Sequence, residues 1–292
     1  MNTKITFSDA EKYLDSLLVF GIKLGLENMI QLNQLLGDPA SSLKFVHVAG
    51  TNGKGSTCAM IATACKYAGL KTGFYSSPFL VNFLERWRIN GSPINESIYL
   101  DAMQKIIAIE DELVELTGVK PTYFEVLTAA ALLIFKEEKC EIVIWETGMG
   151  GRLDATNIVN PLLTIITNIA MDHGSYLGNT LEEVAKEKAG IIKDQVPLIC
   201  GERKPELRKL FAESANTSDQ YFIDSDFYST QGGEDIVYQG TQELNYKLRL
   251  LGEHQVSNSS LAIKALEVLV EQGILESTQI AARGLQYAHW PG

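Results

Sequence analysis

The sequence predicts an α/β fold, a mostly parallel sheet with helices on both faces, on three observations. Apolar runs of strand length alternate with helical patterns, a glycine-rich turn joins the first such pair, and one polar stretch interrupts the alternation. The first strand is KFVHVA, Lys44 to Ala49, and its helix is TCAMIATACKYAG, closed by Gly69. A second strand-like run covers Thr72 to Ser76, and a helix from Glu96 to Leu116 follows it. FEVLTAAALLIFKEEKC predicts a helix that leads into the strand EIVIWE, and LLTIITNIA predicts the next strand. Further units are VPLIC and the helix SLAIKALEVLVEQG. Residues 212–246 are short, polar and glycine-containing, which predicts a small β-rich excursion at the surface. Alternation of this kind places ligands at the carboxyl ends of the strands.

Composition removes several function classes. The 292 residues are 46% hydrophobic and 21% charged, ordinary globular values that allow a sizeable core. A formal net charge of −11 argues against nucleic acid or an anionic membrane as partner, although a local basic pocket for phosphate is compatible with it. Cys58, Cys65, Cys140 and Cys200 lie far apart without a CxxC, so they read as buried thiols in a reducing compartment. The N-terminus has no apolar secretory core, and no run approaches the roughly 18 apolar residues of a membrane span. A cytoplasmic protein is expected.

The turn AGTNGKGST carries the first chemistry. A strand ending at Ala49, a glycine-rich turn and a helix starting near Ser56 aim backbone N–H groups and a helix N-terminus at one point, which suits a phosphate. Lys54 adds a mobile positive charge for the outer phosphates, and Ser56 or Thr57 can reach a magnesium ion. The fit to the generic phosphate loop is incomplete: Val48 stands where the first glycine belongs, and Gly55 directly follows the lysine. A plain glycine-rich turn is the competing reading.

Three later positions extend the site. Glu146 ends the strand EIVIWE, where a carboxylate can hold magnesium or orient a water, or simply cap a loop. MDHG brings Asp172 and His173 to a third strand end, and His173 is either functional there or a packed, capping histidine. In NTLEEVAKEKAGIIK, Thr180 and Glu183 form a capping box and Gly190 ends the helix. Leu181, Val184, Ala185 and Lys188 then share one face, whereas Lys186 pairs outward with Glu182. An inward lysine tends toward a neutral amine, which can react with carbon dioxide to a carbamate that ligates metal. Alternatively, the Lys188 stem lies along the core while its ammonium reaches solvent.

Taken together, AGTNGKGST, SSPFLVNFLERWRING, TYFEVLTAAAL, ETGMGGRLDATN, TNIAMDHGSYLGNTLEEVAKEKAGIIK, GEHQVSNSSLAIKALE and HWPG resemble the successive signatures of folylpolyglutamate synthase and dihydrofolate synthase, members of the Mur ligase superfamily. The resemblance runs from FGIKLGLENM, at position 20, to the last residue. It implies a P-loop NTPase-like Mur ligase central domain over residues 1–290 that binds ATP and folate, with the C-terminal glutamate ligase domain absent after 292. The implied activity is ATP-dependent: a pterin carboxylate takes the γ-phosphoryl group, and the amine of L-glutamate attacks the acyl phosphate. By the same resemblance, Thr51, Asn52, Gly53, Lys54, Gly55 and Ser56 cradle the phosphates, and Asn258 contacts the nucleotide. Ser77, Glu146 and His173 match the magnesium ligands, and Lys188 the carbamylated lysine. Thr122, Tyr123 and Phe124 resemble part of a pterin-binding wall. Lys54, Glu146, His173 and Lys188 form the expected catalytic set.

The pattern departs from the family at Phe79 and Leu84, where histidine and asparagine are frequent, and at Trp87. The acceptor is dihydropteroate or a reduced folate, with a bifunctional enzyme preferred on GIKLGLENM. ATP, Mg2+, L-glutamate and a monomeric state complete the expectation. Two other readings stand beside it: a Mur ligase acting on cell-wall peptides or another amino-acid polymer, and a non-catalytic nucleotide-binding module.

Overall fold

The computed structural model describes residues 4–21, 25–171, 177–233 and 235–290. Its centre is β1 (Phe45–Ala49), whose five residues are all buried. Burial on both faces is what a continuous apolar run such as FVHVA requires, and it marks an inner parallel strand. Around it run β2 (Thr72–Tyr75), β3 (Trp87–Ile89), β4 (Ser92–Pro93), β5 (Ile142–Glu146), β6 (Leu163–Ile166), β7 (Leu198–Cys200) and β8 (Gln220–Phe222). The sheet order is β4-β3-β2-β5-β1-β6-β7-β8, parallel from β2 to β8 and antiparallel at the β3 and β4 edge.

Helices cover both faces. On one side α1 (Phe7–Leu17), α2 (Glu27–Leu35), α4 (Glu96–Ala108), α5 (Glu110–Thr117) and α6 (Tyr123–Glu137) pack over Phe45, Tyr75, Val143 and Trp145. On the other, α3 (Lys54–Tyr67), α9 (His254–Glu271) and α10 (Thr278–Ala282) cover Val46, Val48, Ile144 and Ile165. Two further helices, α7 (Leu181–Ala189) and α8 (Pro205–Ser214), close a smaller core around Ile166 and Leu198. Side chains of β1 alternate between the first two cores, the period of two that a pleated strand imposes.

Local chemistry sets the helix starts. Thr6 with Asp9, Thr122 with Glu125 and Thr180 with Glu183 each form a reciprocal capping box. The predicted helix over 96–116 is two helices, because the backbone turns at Ile109 (φ −103°, ψ 2°). This break lets α5 lie against α2 while α4 stays on α6. Nothing in the apolar spacing marks it. The polar stretch is only partly an excursion: β8 extends the main sheet, while β9 (Tyr228–Gly232), β10 (Asp235–Gln239) and β11 (Glu243–Tyr246) form a separate antiparallel sheet. A buried pair, Lys264 Nζ to Glu267 at 3.0 Å, with Tyr238 donating to the same carboxylate at 2.9 Å, ties that sheet to α9.

All four cysteines are free and buried. Among the described residues no helix is long and apolar enough to cross a membrane.

Candidate active site at the carboxyl end of the sheet

The loop between β1 and α3 is held open by its neighbours. Gly50 (φ 151°) and Gly53 (φ 81°) adopt backbone angles that a side chain rarely allows. A Cβ on Gly50 would lie 1.8 Å from Thr167 Oγ1, and one on Gly53 would lie 2.4 Å from Asn258 Oδ1. Thr167 Oγ1 donates to the Asn52 carbonyl at 2.6 Å, and Asn168 receives the Asn52 N–H on Oδ1 at 3.0 Å. Thr51 N–H reaches the Asn168 carbonyl at 2.9 Å. Fixed this way, the loop presents the first-turn N–H groups of Lys54, Gly55 and Ser56, which have no acceptor within the helix. These donors and the helix dipole favour an anion.

Helix α3 begins at Lys54, ahead of the start expected at Ser56 or Thr57, so the lysine lies in the first turn. Its Nζ folds back onto the carbonyls of Gly50 (3.0 Å) and Thr51 (3.5 Å). From the side of α9, Gln255 Nε2 donates to Ser56 Oγ at 3.2 Å and Asn258 Nδ2 to Gln255 Oε1 at 3.0 Å. Asn258 therefore stands against the loop, although 202 positions separate it from Ser56 in the chain (258 minus 56).

Lys188 meets the same loop. It is 2% exposed on α7, with Nζ donating to the Gly50 carbonyl at 3.0 Å, so two lysines converge on one carbonyl oxygen. Lys186, by contrast, pairs with Glu182 at 2.8 Å on the exposed face.

Glu146 ends β5 and is 4% exposed. Burial pushes its carboxyl from the ordinary 4.5 to about 7, against the opposing pull of the Lys54 ammonium and a backbone hydrogen bond from Ser77. Glu146 Oε2, Thr57 Oγ1 and Thr147 Oγ1 are buried with no hydrogen-bond partner. Orphaned buried oxygens beside a phosphate loop, with no thiolate or imidazole among them, are a donor set that suits magnesium. Ser77 stands next to Glu146. His173 and Asp172 lie outside the described residues.

A cavity of about 460 Å³ opens beside Ser77. Thr122, Tyr123 and Phe124 line it together with Arg86, Gly148, Met149 and Asp154. Thr122 caps α6, so its neighbours Tyr123 and Phe124 project from a fixed helix start. The structure thus joins Lys54, Lys188, Glu146, Ser77 and the cavity in one continuous region, each group touching or electrostatically coupled to the next.

A family model described as the Mur ligase middle domain matches residues 48–266. The chain is 38% identical over 297 aligned residues to the dihydrofolate synthase/folylpolyglutamate synthase of Bacillus subtilis (strain 168), covering 98% of this chain and 69% of that protein. It belongs to the Mur ligases, on their folylpolyglutamate and dihydrofolate synthase branch. Among solved structures, an FPGS–AMPPCP complex matches with a TM-score of 0.90 at 29% identity, over 98% of this chain and 72% of the other. Escherichia coli FolC in complex with DHPP and ADP matches at 0.86 and 32%, over 97% and 67%. The chain spans about two thirds of the length of the Bacillus subtilis protein and of its Schizosaccharomyces pombe and Lacticaseibacillus casei relatives, and less than half of several others.

Several residues of this Mur ligase site escape sequence reasoning. Thr167 and Asn168 shape the loop from the end of β6, and only tertiary packing brings them there. Asp154 is buried at the cavity wall, where Thr156 N–H reaches Oδ1 at 3.0 Å and Met149 N–H reaches Oδ2 at 2.8 Å. Thr156 Oγ1 also donates to Asp154, so His47 Nε2, 3.1 Å from that hydroxyl, is the donor to it. His47 belongs to β1, so the strand that leads into the phosphate loop also braces the cavity wall.

The raised Glu146 carboxyl makes a pH prediction for this Mur ligase. A carboxyl that holds its proton more tightly when folded stabilises the fold at low pH, and that stability is lost as pH rises from about 4.5 to about 7. The upper bound is about 3 kcal/mol. Glu146→Gln should flatten this part of the profile; melting temperatures of both proteins without ligand from pH 5 to 8 check it, and parallel curves would contradict it.

Proposed function

We propose that this Mur ligase joins L-glutamate to the carboxylate of dihydropteroate or a reduced folate at the expense of ATP. The observation that carries the reading is the continuity of the phosphate loop, Glu146 and Ser77 with the aromatic-walled cavity. A flat pterin, with ring faces for the aromatic side chains and hydrogen-bonding groups at its edge for the polar ones, fits such a wall. Its carboxylate end would then lie on the Ser77 side, facing the γ-phosphate.

The chain's residues divide the work as follows. Thr51 to Ser56 hold the phosphates by backbone N–H groups, and Lys54 swings from the Gly50 carbonyl to the outer phosphates. Asn258 fixes the loop and reaches the nucleotide. The acceptor carboxylate oxygen attacks the γ-phosphorus, the bond to the bridging oxygen of ADP breaks, and an acyl phosphate results. The glutamate amine then attacks the acyl carbon, inorganic phosphate departs with the bonding pair, and the nitrogen loses a proton. Ser77 and Glu146, with His173, would hold magnesium, which when bound neutralises charge on the phosphates. Lys188, as a carbamate, would add an anionic oxygen donor beside them. We assign residues 1–290 to a single ATP- and acceptor-binding unit, acting as a monomer in the cytosol.

ADP formation with MgATP, dihydropteroate or tetrahydrofolate, and L-glutamate, compared with each omission, tests the proposal. Dependence on both a pterin and glutamate is expected. Formation indifferent to the pterin, or driven equally by a cell-wall peptide precursor, would overturn it.

A further inference from the structure

Arg86 is 7% exposed and lines the 460 Å³ cavity with Ser77, Tyr123 and Phe124. Its guanidinium lies over the ring of Phe79 at 5.1 Å and near that of Phe83 at 5.8 Å. The Nε–H is buried without a hydrogen-bond partner, and among the described residues no carboxylate pairs with this cation. Arg88, two residues on, shows the contrast: Glu85 lies 3.6 Å from it.

A guanidinium does not shed its proton when buried, so desolvation cannot be relieved by neutralisation. Stacking on aromatic faces offsets part of that penalty but leaves the in-plane N–H donors unmet. An uncompensated buried cation facing a cavity is therefore stabilised by an anion entering that cavity. Position narrows the choice of anion. The Ser76 N–H donates to the Arg86 carbonyl at 3.1 Å, which fixes the Arg86 backbone to the residue preceding Ser77. The Arg86 backbone is thus held beside the residue that leads into Ser77, and the side chain lines the same cavity as Ser77, where the acid end of a bound acceptor would be offered to it.

We propose that Arg86 is the specificity-determining residue for the acceptor's carboxylate, held in orientation by the rings of Phe79 and Phe83. The proposal rests on the ligase reading given above. It accounts for Phe79 at a position where the family often has histidine: a phenyl ring supplies a π face and no donor that would compete for the incoming anion. A planar guanidinium fork matches a planar carboxylate, so an acceptor ending in a neutral amide loses the charge-assisted bonds.

The test crosses protein and ligand charge. Binding of dihydropteroate and of its carboxamide analogue is measured by calorimetry on the full chain, for the wild type and for Arg86→Met. The wild type is expected to prefer the carboxylate by about tenfold or more, whereas Arg86→Met binds both ligands alike, near the wild-type affinity for the amide. Arg86→Gln gives the same reading should the methionine variant melt below the assay temperature. An undiminished preference in the variants, or equal weakening of both ligands, would show that Arg86 only shapes the cavity and would overturn the proposal. A wild type that binds both ligands alike would also overturn it while leaving the ligase reading intact. A wild type that binds neither would overturn the ligase reading and the Arg86 proposal with it.

Discussion

Lys54→Ala should lower ATP turnover by about a thousandfold or more while leaving the melting temperature close to that of the wild type. The side chain makes no contribution to a core: its Nζ rests on the loop carbonyls of Gly50 and Thr51, the contacts it would exchange for phosphate oxygens. Removing it leaves the backbone N–H groups of the α3 first turn in place, so nucleotide binding should weaken less than catalysis. ADP release and titration with a non-hydrolysable ATP analogue separate the two effects. Near-normal turnover would remove the loop from its proposed role.

Lys188→Ala should reduce ligase activity by about a hundredfold, and short carboxylates such as formate or acetate should restore part of it. The lysine is 2% exposed, reaches the same Gly50 carbonyl as Lys54, and sits in the last turn of α7. Truncation to alanine opens a space beside the loop that a small carboxylate can fill, supplying the anionic oxygens that the proposed carbamate would provide. A structural lysine behaves differently, because added carboxylate would not recover activity lost through a distorted loop. Full activity of the variant without any addition would dispose of the carbamate.

These two lysines also show what the sequence reveals and what it hides. Lys188 was legible because the Thr180–Glu183 capping box fixes the helix start and the 3.6-residue period then places 181, 184, 185 and 188 on one face. The glycine turn proposed to hold phosphate was legible as a strand–turn–helix because its three parts follow one another within the chain. Asn258 needed the family resemblance, since its contact with Gly53 crosses the molecule. Thr167 and Asn168 open one of the signatures quoted above, but the sequence assigns them no role, because their contacts with the loop come from β6 pairing in register with β1. Arg86 lies in LERWR, where the sequence does not say which charge is buried; the structure places this one against the rings of Phe79 and Phe83. The break at Ile109 was invisible for the opposite reason, because the apolar period continues through it.

Magnesium, the acceptor and both lysines are assigned their places by one chemical claim, that an acyl phosphate forms on the acceptor carboxylate. The most direct measurement of that claim follows oxygen. With dihydropteroate labelled with 18O in both carboxyl oxygens, together with MgATP and L-glutamate, the account predicts one 18O atom in the inorganic phosphate for every amide formed. Amide formation with unlabelled phosphate would contradict it.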